Sequence, residues 1–177
     1  MPLKLTNPLP LGEGREMAKA PFSPPGLFRR LGALLYDGLL LLGILFFATG
    51  VLLPFRGGRP FEAGDLGYAA YLLTVVFVFF AWFWTRGGQT LGMRAWKIRL
   101  TSADGGAVSW QQSALRFIPA LLCLGIFKLG ASLWPESAKW FGLLSLGLFG
   151  LGFLWAFLDS DKRCWHDLIA NTRMASL

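Results

Sequence analysis

Four stretches of this chain run almost without polar positions, and none shows the alternation of a half-buried strand. They are Leu31–Leu53, interrupted by Asp37, then Tyr68–Trp84, Ser113–Trp134 and Phe141–Leu158. A helix needs about 20 mostly apolar residues to cross a bilayer, and all four fall in that range. Tyr68–Trp84 and Phe141–Leu158 carry no charge, whereas Ser113–Trp134 carries Arg116 and Lys128. Soluble core helices rarely contain uncharged apolar runs this long. The pattern predicts an all-α integral membrane protein with four transmembrane helices. Trp82, Trp84, Trp134, Trp140 and Trp155 lie at or near the span ends, where an amphipathic ring prefers the headgroup layer.

The connecting segments read differently. Residues 1–25 are rich in Pro and Gly without helical period and read as a flexible tail, with Met17 an alternative start. Pro54–Gly67 reads as an irregular turn. In the loop Thr85–Gln112, Lys97 and Arg99 alternate with Trp96, Ile98 and Leu100, and the pair Asp104-Gly105 follows, then Ala107-Val108. This predicts a short two-stranded β-hairpin between helices 2 and 3. Ser109 with Gln112 three residues on predicts a capping box that starts the third helix near Trp110, with a kink at Pro119. Residues 159–177 are polar and basic, with Trp165, Leu168 and Ile169 as anchors for a short interfacial helix.

Composition supports the membrane reading. The 177 residues are 54% hydrophobic and 15% charged, with a mean hydropathy of +0.51. A soluble domain carries about 25% charged residues, and disorder needs a polar composition. The net charge is +7, which in a soluble protein would point to nucleic acid. Here its distribution matters more. The N-terminal segment, the middle loop and the C-terminal segment together hold twelve Lys and Arg, against three in the other two loops. Basic residues collect on the cytoplasmic side, so both termini are expected in the cytoplasm, facing anionic headgroups. The first span begins too far in, and is too long, for a cleaved signal peptide.

Asp37 is the residue that invites chemistry. It lies seven positions beyond Arg30, on the same helical face and about 10 Å along the axis. An ionised Asp at a helix centre costs roughly 2.5–3.5 kcal/mol, so it needs a partner, a proton or a wet cavity. Arg116 enters from the same face at similar depth, and an Asp37–Arg116 pair is expected. That pair would fix helix packing, or Asp37 would titrate and couple protons to a second ion. Lys128 is expected to snorkel outward. His166 and Asp167 are adjacent, so on a helix they do not face each other as a dyad. One His and two Cys without close metal spacing argue against zinc. Cys123 inside a span and Cys164 outside it argue against a disulfide. The fourth span has no GxxxG, and the chain has no phosphate loop, dinucleotide fingerprint or nucleophile elbow. No enzyme, cofactor or metal is expected.

Three motifs in order resemble the RDD family, small bacterial multipass membrane proteins named for one Arg and two Asp. Phe28-Arg29-Arg30 through Tyr36-Asp37 resembles the family's opening. Gly88-Gln-Thr-Leu-Gly-Met-Arg94 resembles its GQTLGK loop, with Met93 where Lys is common. Trp165-His-Asp-Leu-Ile-Ala-Asn-Thr172 resembles its closing LHDLLAGT signature, with Trp165 and Asn171 as departures. The resemblance covers residues 26–173. It implies that Arg30, Asp37, Arg116 and Asp167 are the family's charged positions, with Asp159 second to Asp167. Transport is ascribed to the family in general terms, and cation/proton exchange to some members. Two function classes follow: a small transporter, which with four helices needs an oligomer to enclose a path, or a non-transporting scaffold whose charges are structural.

Overall fold

A computed structural model describes residues 23–62 and 64–177. The expected flexible tail falls almost wholly outside them. Four long helices dominate: α1 (Leu27–Leu52), α2 (Leu66–Gly87), α4 (Trp110–Leu133) and α5 (Ala138–Leu154), the last extended by a turn at Trp155–Phe157. Each is long and apolar enough to cross a membrane. The first three begin two to four residues ahead of the apolar runs and α5 three ahead; polar side-chain caps set the starts of α2 and α4, whereas Gly26 before α1 and Ser137 before α5 make no side-chain cap. Asp65 accepts from Tyr68 N at the start of α2. Ser109 and Gln112 form the expected capping box before Trp110. Pro119 sits inside α4, which continues through it.

Between α2 and α4 lie the short helix α3 (Leu91–Ala95) and strand β1 (Ile98–Ser102). After α5 come the short helix α6 (Trp165–Ile169) and strand β2 (Thr172–Ser176). The expected hairpin is corrected here. The Asp104-Gly105 turn forms, with Gly105 N–H donating to Ser102 O, but Ala107-Val108 is not a strand. β1 pairs antiparallel with β2, Ile98 opposite Ser176 and Ser102 opposite Thr172. Two residues after the turn offer too short a ladder, whereas β2 supplies five. The alternation holds within β1, where Ile98 and Leu100 point inward and Arg99 outward, but Trp96 and Lys97 precede the strand and Trp96, read on the apolar face, is exposed.

The buried apolar cluster is not in the middle of the bundle. Ala33, Met93, Ile98, Leu100 and Val108, with Trp84 and Met174 against them, lie where α1 meets α3 and the sheet. Along the spans, Leu39, Leu42, Phe46 and Phe47 face outward, as expected where the surroundings are lipid. The close-packed part is thus a cap at one end of the bundle. Gly88 starts that cap at φ 66°, and a Cβ there would stand 2.4 Å from Leu100 O, so only glycine fits.

Candidate functional site

The cap gathers the charged residues that the spans can hold least cheaply. Arg30, Asp37 and Arg116 retain only 3–6% exposure, and Asp167 retains none. They divide into two groups rather than one.

The first group is built on α6. Asp167 sits at the third position of that helix, and its Oδ2 accepts from Cys164 N at 3.0 Å, closing the helix start. Its Oδ1 accepts from Arg116 Nη1, which also donates to Thr172 Oγ1 at 2.7 Å. Arg30 Nη1 lies 3.8 Å from Asp167 Oδ2. The same Nη1 donates to Cys164 Sγ, while Arg30 Nε donates to Pro25 O and Nη2 to Lys162 O. One carboxylate therefore bridges α1, α4 and the C-terminal segment. Burial pushes the Asp167 carboxyl up, but the Arg116 charge and the hydrogen bonds from Arg116 and Cys164 N outweigh it and hold it below the usual range.

The expected Asp37–Arg116 pair is corrected: Arg116 is taken by Asp167. Asp37 instead accepts from Thr90 Oγ1 at 2.5 Å and from Gly92 N at 2.8 Å. Thr90 is the N-cap of α3, so Asp37 caps α3 from across the bundle, where unsatisfied N–H groups favour an anion. Gly92 permits this approach, since a Cβ there would meet Ala33 O at 2.3 Å. Gln89 fixes the same loop by donating to Ile98 O at 2.7 Å. Depth along a helix could not distinguish an Arg partner from a helix end folded back onto the span.

Both groups border one cavity of about 150 Å³, lined by Arg30, Asp37, Thr90, Trp84, Arg116 and His166 together with apolar side chains. Trp84, expected at the headgroups, packs inward: its ring stacks on Phe80 and lies under the Arg116 guanidinium, 4.9 Å from Cζ. Sequence reasoning missed Thr90, Gly92, Cys164 and Thr172. The Thr90-to-Met93 cap spacing was the available signal for the first two.

His166 Nε2 comes within 3.7 Å of Asp167 Oδ1, nearer than helix geometry led us to expect. Burial, and then the charge of Arg116, lower His166 to about 4, so it is neutral near pH 7 and forms no ion pair. Cys164, His166 and Asp167 offer three ligand atoms within 4.8 Å of one another. These residues do not suit a metal: Arg30 donates to the thiol, Arg116 to the carboxylate, and burial and Asp167 raise the Cys164 thiol to about 11.

The three sequence motifs thus meet at one place: the opening supplies Arg30 and Asp37, the Gly-rich loop binds Asp37, and the closing motif supplies Asp167. A family model, the RDD family, matches residues 24–171. The chain belongs to the RDD family. Its departure at Asn171 is accommodated, because that residue adopts φ 49°, a left-handed conformation that Asn tolerates where Gly is usual. Met93, where the RDD loop commonly has Lys, is buried in the apolar cluster. No curated protein and no solved structure matches the chain.

Proposed function

We propose that this RDD-family membrane protein is a small transporter of the bacterial cytoplasmic membrane, exchanging a monovalent cation for a proton at Asp37. The observation that carries this reading is the placement of Asp37. It is the only acidic residue within the four long helices, it is buried, and it borders a cavity between the helices. An ionised carboxylate has about four acceptor positions. Thr90 and Gly92 each fill one, leaving room for a cation or a proton. The Arg30–Asp167–Arg116 cluster acts as a latch that closes the cytoplasmic side. Both termini are cytoplasmic on the twelve-to-three bias of basic residues, and exposed Arg94, Lys97 and Arg99 face anionic headgroups. Four helices enclose little of a path, so the transporting unit is an oligomer, most simply a dimer. No covalent chemistry is part of the proposal.

One observation favours a second reading, the scaffold: Asp37 is the cap of α3, which is a structural duty. Flux in proteoliposomes separates the two. The transporter reading expects a monovalent cation gradient to drive proton movement in wild type and not in folded Asp37→Asn. A folded wild-type protein that moves neither ion removes the exchanger reading, and full flux in Asp37→Asn removes Asp37 from it. A reporter fused after Leu177 should be active only in the cytoplasm, and periplasmic activity would reverse the orientation.

A further inference from the structure

The bundle is not closed all round. α1 packs on α2 and α3, and α5 packs on α4 and α6, but α1 and α5 scarcely touch. The cavity beside Asp37 spans this seam, with Leu34 on α1 at one side and Phe149 and Phe153 on α5 at the other. Phe80 and Phe117 continue its apolar wall. Two hydrogen-bond donors at this cavity are buried without a partner among the described residues: Trp84 Nε1 and Arg116 Nε. Arg116 is nine-tenths buried, and its guanidinium lies over the Trp84 ring, so the two donors belong to one neighbourhood. A buried donor left unmade costs about 1–3 kcal/mol. Two of them beside an apolar wall describe what is missing: an acceptor oxygen on an apolar body.

Charge narrows the class. With Asp37 ionised, Arg30 and Arg116 are matched by Asp37 and Asp167 in number, and His166 is neutral. An anionic head would add an unbalanced charge in a low-dielectric site, which is costly; a carbonyl or hydroxyl would not. Depth agrees. Arg116 lies six residues into α4, about 9 Å along its axis, near where a bilayer's polar layer gives way to hydrocarbon.

We propose that the α1–α5 seam admits an uncharged lipid from the bilayer, whose carbonyl or hydroxyl accepts from Trp84 Nε1 and Arg116 Nε while its chain lies against Phe80, Phe117, Phe149 and Phe153. This goes beyond ion exchange and does not depend on it.

The test uses the full chain in maltoside detergent and a monoacylglycerol carrying a diazirine in its acyl chain. The expected result is saturable labelling of residues 31–40 and 145–156. Unlabelled monoolein should displace it at roughly tenfold lower concentration than oleate. Trp84→Phe keeps a ring but removes the donor, and should weaken binding about fivefold, the worth of one hydrogen bond. Leu34→Trp, which fills the entrance, should abolish labelling while the protein elutes as wild type does. Labelling that does not saturate, that lies elsewhere on the helices, that oleate displaces equally well, or that both folded variants retain would overturn the proposal.

Discussion

Asp167→Asn is the perturbation with the largest expected effect on the cap. The carboxylate is fully buried and holds Arg116 directly and Arg30 at 3.8 Å. Replacing it by an amide leaves two buried guanidiniums without their direct carboxylate partner. Breaking a buried pair by removing one partner costs about 3–5 kcal/mol. The cost falls on docking of the C-terminal segment, because Asp167 ties that segment to α1 and α4 and closes the start of α6. At about 1.36 kcal/mol per decade, amide exchange in β2 should accelerate by roughly two to almost four orders of magnitude. Hydrogen–deuterium exchange with mass spectrometry of residues 164–177 measures this directly. Asp161→Asn is the control: its pair with Arg163 is 59% exposed on the Asp side, and such pairs are worth less than about 1 kcal/mol. Wild-type exchange rates in folded Asp167→Asn would refute the latch.

Three further outcomes follow from the same geometry. His166 is held at about 4 when docked against an ordinary value near 6.5, so the released segment takes up a proton that the docked one refuses. Docking is then at full strength above about pH 6.5 and weakens as pH falls toward 4, by at most ~3 kcal/mol; His166→Gln should flatten that dependence in exchange measured across this window. Gly92→Ala places a Cβ 2.3 Å from Ala33 O and 2.9 Å from the Asp37 carboxylate and should cost about 1–3 kcal/mol, seen as a lower melting temperature, with an unchanged value counting against the α1–α3 contact. Thr90→Ala removes both the donor to Asp37 and the α3 cap and should cost about 1.5–3 kcal/mol, while Thr90→Ser should retain most of the stability in the same melt.

The spans were legible because a bilayer imposes length and apolarity on each helix alone, without reference to its neighbours. The Ser109–Gln112 cap was legible for the same local reason. Asp37 was recognised as costly to bury, but its partner was not, because Thr90 and Gly92 reach it only after the loop beyond α2 folds back onto α1. The strand Ile98–Ser102 was visible in its alternation and the Asp104-Gly105 turn in its residues. Its partner lies some seventy positions away in Thr172–Ser176, beyond what local periodicity reports. Asp167 was identified by motif resemblance, yet its role as the bridge between Arg30 and Arg116 needed the three elements in space. Trp84 looked like an interfacial residue because its position near a span end could not show that the cap covers that end.

The central claim is that a cation and a proton compete for Asp37. Proton release on addition of a monovalent cation to the purified protein, followed with a pH-sensitive dye in weakly buffered solution, tests it most directly. The account predicts saturable release of up to one proton per chain from wild type and none from folded Asp37→Asn. No release from wild type at any pH where the protein is folded, or equal release from both proteins, would contradict it.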